Sequence, residues 1–266
     1  MSEEQYDFNA AYHNDRFPRS NQYDGKWVAE NQMGPNALWL VEWLTEEMPL
    51  GAGQRVLDMG CGTAMTSIFL AKEFGVTVFA NDLWVKATEN WKRIREAGVE
   101  DRVFPIHAEA RSLPYAEEFF DAIVSLDSYQ YYGTDDLYLN SFVKFLKPGG
   151  QIGIVVPGLM REFEGGTPPD YLTRPREDGK VFWVDECWCI RTLDWWRLHW
   201  SHSSMVTVEV ADTLPDGGAL WLQHERVRQP EKRVCPFPPD ADILEADAGR
   251  YMGFVRMIAR RKEMQP

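Results

Sequence analysis

The sequence predicts an α/β protein in which helices cover both faces of a mostly parallel sheet. Apolar segments of strand length alternate with segments of helical spacing between about residues 55 and 156. The first strand, at Val56 and Leu57, runs into a glycine-rich turn, Gly60-Cys61-Gly62, that opens a helix. In α/β sheets a strand, turn and helix of this kind hold a nucleotide-like ligand. A length of 266 residues suits one large domain of this class.

The elements follow one another in βα order. Apolar residues on one face predict a first helix over 36–48, which Pro49 ends. No helix is expected before Asn36. The next elements are a strand at about 55–59, a helix over 64–74, a strand at about 76–81 and a helix near 84–97.

The third strand, Val103–Ile106, contains Pro105 and is therefore expected at a sheet edge, because proline cannot donate to the ladder. The remaining elements are a strand at about 121–126, a helix near 136–146, and strands at 151–156, 205–211 and 251–260. The Gly- and Pro-rich stretch 157–180 is predicted to be a loop or lid.

Composition limits the function. Hydrophobic residues make up 44% of the chain, which is enough for a packed core. The net charge of −13 argues against a nucleic-acid or anionic-membrane surface, since such a surface needs a basic patch. No apolar run approaches the roughly 20 residues of a membrane span, and residues 1–5 lack an apolar signal region. Four scattered cysteines indicate neither a metal nor a disulfide framework.

The glycine turn favours a cationic ligand. A dinucleotide-binding turn needs a third glycine where Ala64 stands, and the turn contains no basic residue. Asp58 lies just before the turn and would repel a pyrophosphate, but it would accept a sulfonium compound that carries an ammonium group. Asp82, at the end of the next strand, could accept both ribose hydroxyls of a nucleoside.

The segment Val56–Ala64, VLDMGCGTA, resembles the first motif of class I S-adenosylmethionine (SAM)-dependent methyltransferases. Four further matches follow in order: Asp82, the segment 106–115 with Glu109 in place of Asp, the strand 120–127, and the LKPGG turn at 146–150. The resemblance covers roughly residues 50–160. It is greatest to small-molecule enzymes of the cyclopropane-synthase-like and quinone-methylase-like group.

The resemblance implies a Rossmann-like class I methyltransferase fold with seven strands in the order 3-2-1-4-5-7-6. It implies a single SAM-dependent methyltransferase domain over 1–266, with SAM as cofactor and no metal. The methyl group would pass to a small-molecule acceptor by in-line displacement. From the cysteine usage and the net charge we expect a cytoplasmic protein without nucleic-acid partners, and we expect a monomer or homodimer. The cofactor-binding residues would be Asp58, Gly60, Gly62, Asp82, Leu83, Glu109, Ala110 and Leu126.

The acceptor side is predicted from the segment 127–133, which follows the fourth strand at the carboxyl edge of the sheet. Asp127 and Tyr129 are candidate catalytic residues, with Asp127 able to act as a base. Tyr131 and Tyr132 are candidate substrate contacts. Alternatively, the tyrosines pack the helix that follows.

A tryptophan-rich segment, 183–200, is the second acceptor-side candidate. Trp195 and Trp196 could form a substrate wall, or they could be ordinary core. His199 is a candidate catalytic residue or a packing residue. His199 and His202 form a weak metal pair, because no third ligand is placed with them.

Two segments are predicted to cover the site: an aromatic N-terminal arm, residues 1–35, and the insertion 157–200. Two other function classes stay open. One is a non-catalytic SAM-binding module, and the other is a NAD-dependent oxidoreductase, which Asp58 and the missing third glycine disfavour.

Overall fold

The computed structural model describes residues 6–176, 179–235 and 240–263. Within these ranges eight strands form one sheet. The strands are β1 (Arg55–Met59), β2 (Thr77–Asp82), β3 (Val103–His107), β4 (Phe120–Leu126), β5 (Leu146–Leu159), β6 (Arg191–Thr192), β7 (Val206–Thr213) and β8 (Met252–Arg261).

The strand order is β3-β2-β1-β4-β5-β8-β7, and the two-residue β6 pairs with the end of β5. Strands β1 to β5 are parallel, whereas β8 runs antiparallel between β5 and β7. Apart from the short β6, this is the predicted order. The Rossmann-like class I methyltransferase fold is therefore confirmed. Pro105 lies on the edge strand β3, opposite Ala80 of β2.

Ten α-helices connect and cover these strands in the described residues. They are α1 (Phe8–Tyr12), α2 (Gly25–Asn31), α3 (Ala37–Thr45), α4 (Met65–Phe74), α5 (Ala87–Glu96), α6 (Tyr138–Phe142), α7 (Asp170–Thr173), α8 (Leu193–Ser201), α9 (Gly217–Glu225) and α10 (Ala241–Asp247). In the part of the chain that the structure describes, no helix has the length and apolarity needed to cross a bilayer.

The expectation of no helix before Asn36 is wrong, because α1 and α2 both precede it. Each begins at an aspartate whose side chain accepts a backbone N–H: Asp7 accepts from Ala10 (2.9 Å), and Asp24 accepts from Trp27 (2.7 Å). Such N-caps typically stabilise a helix by about 1 kcal/mol. Residues 1–5 of the predicted arm lie outside the described residues.

The insertion 157–200 is more ordered than a loop. Strand β5 continues to Leu159, and the segment then contains α7, a 3-10 helix at Asp185–Cys189, β6 and α8. The ring of Trp183 packs edge-on against Phe163 with 4.9 Å between centroids, and Phe163 in turn contacts Tyr251 at the start of β8.

A buried aromatic cluster occupies one face of the sheet, beneath α6 and α8. Its members are fully or nearly fully buried: Tyr129, Tyr132, Tyr138, Phe142, Trp196 and Trp200. The apolar side chains of α3 and α4 fill the opposite face. These two layers pack the strands between them. The candidate site lies at the carboxyl ends of β1 and β4.

Glu42 of α3 fastens the N-terminal arm to the body. Its buried carboxylate accepts the backbone N–H groups of Arg19 (3.0 Å) and Ser20 (2.8 Å) and the Ser20 hydroxyl (2.6 Å).

We expect Glu42→Gln to loosen the arm, because an amide has one acceptor oxygen where the carboxylate has two. The lost bonds should cost about 1–3 kcal/mol locally, and trypsin should cut after Arg16 and Arg19 faster than in the parent. The exposed Glu47, just beyond the same helix, supplies the control Glu47→Gln. Equal cleavage rates in the two variants would contradict this role for Glu42.

Candidate active site

The glycine turn after β1 is held by the end of β2. The backbone N–H groups of Gly60 and Cys61 both donate to the carbonyl oxygen of Asn81, at 2.8 and 3.0 Å. The N–H of Gly62 donates to the Asp82 carboxylate at 2.8 Å. Gly60 and Gly62 have φ angles of 75° and 53°, in the left-handed region that favours glycine.

Ala64 also adopts a left-handed conformation, with φ 64°, immediately before α4. The turn therefore ends in a left-handed residue although that residue carries a Cβ. A non-glycine residue in this region costs about 1 kcal/mol. Such strain is typical of ligand-binding turns.

Asp58 lies fully buried at the end of β1. One carboxylate oxygen, Oδ2, accepts the hydroxyls of Thr66 and Ser67 from α4. Among the described residues, the other oxygen, Oδ1, has no hydrogen-bond partner. Burial is the main cause that raises the pKa of Asp58 to about 6. A buried carboxylate oxygen without a partner is a fitting acceptor for an ammonium group.

Asp82 is already occupied by backbone donors. Its Oδ1 accepts the N–H groups of Trp84 (2.7 Å) and Val85 (2.8 Å), and its Oδ2 accepts from Gly62. An oxygen of this kind has two lone pairs. The expectation that Asp82 accepts both ribose hydroxyls therefore needs correction, because one lone pair of Oδ2 remains.

The side chains of Ser128 and Met33 lie directly over the glycine turn. A Cβ at Gly60 would lie 2.0 Å from the hydroxyl of Ser128, and a Cβ at Gly62 would lie 3.1 Å from the sulfur of Met33. The Thr63 hydroxyl donates to the carbonyl of Asn31 at 2.6 Å. The segment that joins α2 to α3 therefore covers the turn, which is where a lid would lie.

The remaining predicted cofactor residues occupy the carboxyl edge of the sheet. Leu83 and its neighbour Trp84 are 51% and 69% exposed, which is unusual for large apolar side chains. The Glu109 carboxylate accepts the N–H of Arg111 (2.9 Å) and so caps its own turn. The Ala110 carbonyl accepts the hydroxyl of Tyr138 (3.0 Å). Leu126 is buried at the end of β4.

Asp127 follows β4 and combines a strained backbone with a half-buried carboxylate. Its φ is 48°. Gln130 donates to Oδ1 at 3.0 Å, and Oδ2 lies 2.2 Å from where Gly34 would carry a Cβ. Position 34 must therefore be glycine for the arm to approach the carboxylate. Burial is the main cause that raises the pKa of Asp127 to about 7.

His224 of α9 belongs to the same region, and sequence reasoning missed it. Its Nε2 lies 3.0 Å from the carbonyl of Gly34. Within the described part of the chain, its buried Nδ1 has no partner. Burial lowers the pKa of His224 to about 4, so the ring is neutral at physiological pH. A lone histidine in a helix carries no motif, so no sequence signal could have identified it.

The tyrosines and tryptophans predicted to contact substrate divide into two groups. Tyr129 and Trp196 are fully buried in the aromatic cluster, and this placement removes the basis for a catalytic or substrate role. Tyr132 is also interior, with its hydroxyl 3.1 Å from that of Ser125. In contrast, Tyr131 is 54% exposed beside Trp84, and Trp195 is half-buried.

His199 does not face the glycine turn. Its Nε2 lies 2.9 Å from the carbonyl of Gly133, and its ring stacks on Trp195 with 4.5 Å between centroids. These contacts correspond to the packing alternative, and nothing in them supports a catalytic base.

Residues 56–150 match the family model of a methyltransferase domain. The chain is 33% identical over 138 residues to the methyltransferase GfsG of Streptomyces halstedii, covering 50% of each protein. It thus spans about half the length of the curated relatives it matches.

The fold is similar to two solved structures. Geranyl diphosphate C-methyltransferase from Streptomyces coelicolor A3(2), in complex with S-adenosyl-L-homocysteine, aligns with a TM-score of 0.65 at 15% identity, over 94% of this chain and 82% of that one. The [4+2]-cyclase SpnF aligns with a TM-score of 0.64 at 20% identity, over 88% and 86%. One fold thus accommodates more than one reaction.

We expect Asp82→Ala to weaken SAM binding by about 1–3 kcal/mol. The same variant should lower the melting temperature, because the N–H groups of Gly62, Trp84 and Val85 lose their acceptor. Calorimetry and thermal denaturation measure the two effects separately. Asp101→Ala, at an exposed residue just before β3, is the control. Unchanged SAM affinity in Asp82→Ala would refute the assignment of this strand end.

A second prediction concerns pH. Because burial raises the pKa of Asp127 in the native state above its unfolded value, ionisation destabilises the fold progressively from about pH 4 to about pH 7, and fully above pH 7. Asp127→Asn removes this term. The variant should therefore gain stability relative to the parent as pH rises through that window, by roughly 1–4 kcal/mol. Denaturant titrations at pH 5 and pH 8 test the difference, which should not change if the Asp127 pKa is normal.

Proposed function

We propose that this protein, whose residues 56–150 match the family model of a methyltransferase domain, is a class I SAM-dependent methyltransferase that moves the methyl group of SAM to a small-molecule acceptor. One observation carries the proposal: a glycine turn lies between two carboxylates, Asp58 with a free buried oxygen and Asp82 with one free lone pair. This arrangement fits a cationic nucleoside better than an anionic dinucleotide.

The protein's own part in the reaction is to bind SAM and to orient the acceptor. Bound SAM supplies a methyl group that its sulfonium already activates. Asp58 would hold the ammonium group and Asp82 one ribose hydroxyl, while the exposed Leu83 offers an apolar surface to the base. Holding the acceptor in line with the S–CH₃ bond can supply on the order of 7–11 kcal/mol of the barrier.

Asp127 is the proposed acceptor-side group. It follows β4, its carboxylate is half-buried, and its pKa of about 7 lets it change protonation at physiological pH. For an acceptor that arrives as O–H or N–H, the ionised Asp127 carboxylate would take the acceptor proton as the acceptor atom gains the methyl group that SAM supplies. S-adenosylhomocysteine would be the leaving group.

The surroundings of Asp127 favour a neutral, apolar or cationic acceptor. Ionised Glu225 raises the pKa of Asp127, and ionised Asp127 raises that of Tyr131, so these groups share one negatively biased region. The net charge of −13 would likewise repel a polyanionic acceptor. We therefore propose no nucleic-acid partner. We further propose that the protein is cytoplasmic, that it is a monomer or homodimer, and that the arm and the insertion 157–200 cover its site.

Calorimetry with SAM, S-adenosylhomocysteine and NAD tests the cofactor. Binding of the first two supports the proposal, whereas binding of NAD alone would indicate an oxidoreductase. Incubation with isotope-labelled SAM and a pool of metabolites, followed by mass spectrometry, tests turnover. A product that has gained one labelled methyl group supports the enzyme. SAM binding without any such product would favour a non-catalytic module.

Asp127→Asn tests the acceptor side once a product is found. With an O–H or N–H acceptor, kcat/KM of the parent should rise with pH to a plateau above about 7, because the carboxylate acts as base only when ionised. The variant should be slower by about 10²–10⁴-fold and lose this pH step. Asp185→Asn, at an exposed carboxylate in the insertion, should behave like the parent. An unchanged pH profile in Asp127→Asn would exclude Asp127 as the base.

A further inference from the structure

Three metal-ligating side chains converge where α8 meets the chain after β4, away from the glycine turn. Asp136, His199 and His202 each offer one ligand atom, and these atoms all lie within 4.8 Å of one another. The two histidines lie at the end of α8. The fold brings Asp136 to them from the segment before α6, and so supplies the third ligand that the sequence did not reveal.

His199 is held in the tautomer that a metal requires. Its Nε2 faces the carbonyl of Gly133 at 2.9 Å, and a carbonyl can only accept, so Nε2 carries the proton. In the neutral ring the lone pair is then on Nδ1, which lies 3.6 Å from a carboxylate oxygen of Asp136. A metal-bound histidine commonly donates its second ring N–H to a backbone carbonyl in this way.

A lone pair on Nδ1 and a carboxylate oxygen at this distance repel each other unless a proton or a metal ion lies between them. We infer that Asp136, Nδ1 of His199 and His202 bind a borderline divalent transition metal of the zinc type. Two imidazoles and one carboxylate are a known zinc ligand set, with a fourth position left for water. Mg²⁺ and Ca²⁺ prefer oxygen ligands and are disfavoured.

Exposure allows the site to form. The side chains of Asp136 and His202 are exposed, so both can move to the roughly 2.0–2.2 Å distances of zinc ligands. The buried ring of His199, stacked on Trp195, stays fixed as the anchor.

The bound metal ties α8 to the segment 133–136. Gly133 packs against Tyr129 so closely that a Cβ would lie 2.0 Å from its ring. We therefore expect bound metal to stabilise the segment that follows Asp127. None of the three proposed ligands belongs to the glycine turn.

Titration of the metal-free full-length protein with Co²⁺ tests the inference. We expect one equivalent to bind, with visible d–d bands and without the near-ultraviolet charge-transfer band that thiolate ligands produce. His202→Asn and Asp136→Asn change exposed residues and should each weaken binding by at least about tenfold. His13→Asn is the matched control, because the exposed His13 faces Asp15 at 3.1 Å in a pair on the arm.

Thermal denaturation gives a second readout that does not depend on methyl transfer. Zn²⁺ should raise the melting temperature of the parent and of His13→Asn but leave that of His202→Asn unchanged. Equal Co²⁺ affinity in His202→Asn and the parent would overturn the inference. A thiolate charge-transfer band would overturn it too, because the metal would then lie on cysteines.

Discussion

Backbone N–H groups of the glycine turn donate hydrogen bonds to the end of β2. Asn81 and Asp82 together accept three of them, so the turn cannot shift without unpairing the strand end beside it. The same Asp82 carboxylate also orders the chain at Trp84 and Val85. One side chain thus determines both the floor of the proposed cofactor site and the path of the chain that borders it.

The site concentrates unfavourable features that the rest of the fold must offset. Ala64 and Asp127 have left-handed backbones, and the carboxylates of the buried Asp58 and the half-buried Asp127 have raised pKa values. Each feature costs free energy in the unliganded protein. An ammonium group held by the free oxygen of Asp58 would recover part of that cost. The negative charge of these carboxylates therefore favours cationic ligands over anionic ones, whatever the shape of the ligand.

The sequence predicted the architecture well, because strand periodicity, the glycine turn and Pro105 are local signals that tertiary packing did not override. It failed where one pattern fits two environments. Trp195 and Trp196 are adjacent and equally aromatic, yet one is half-buried and the other lies in the core. His224 and Asp136 could not be found at all, since their neighbours come from distant parts of the chain. The helices before Asn36 were readable, however, because Asp7 and Asp24 are ordinary N-caps.

Strand β8 follows every other strand in the chain, yet it lies between β5 and β7, paired with β5 from Gln151 to Leu159. During synthesis, the growing sheet therefore exposes the long apolar edge of β5 until β8 has left the ribosome. An unpaired edge of this length is a template for intermolecular pairing. Nascent chains of this protein are accordingly most vulnerable to aggregation between the emergence of β5 and that of β8, and a chain truncated before β8 would leave this sheet edge unpaired.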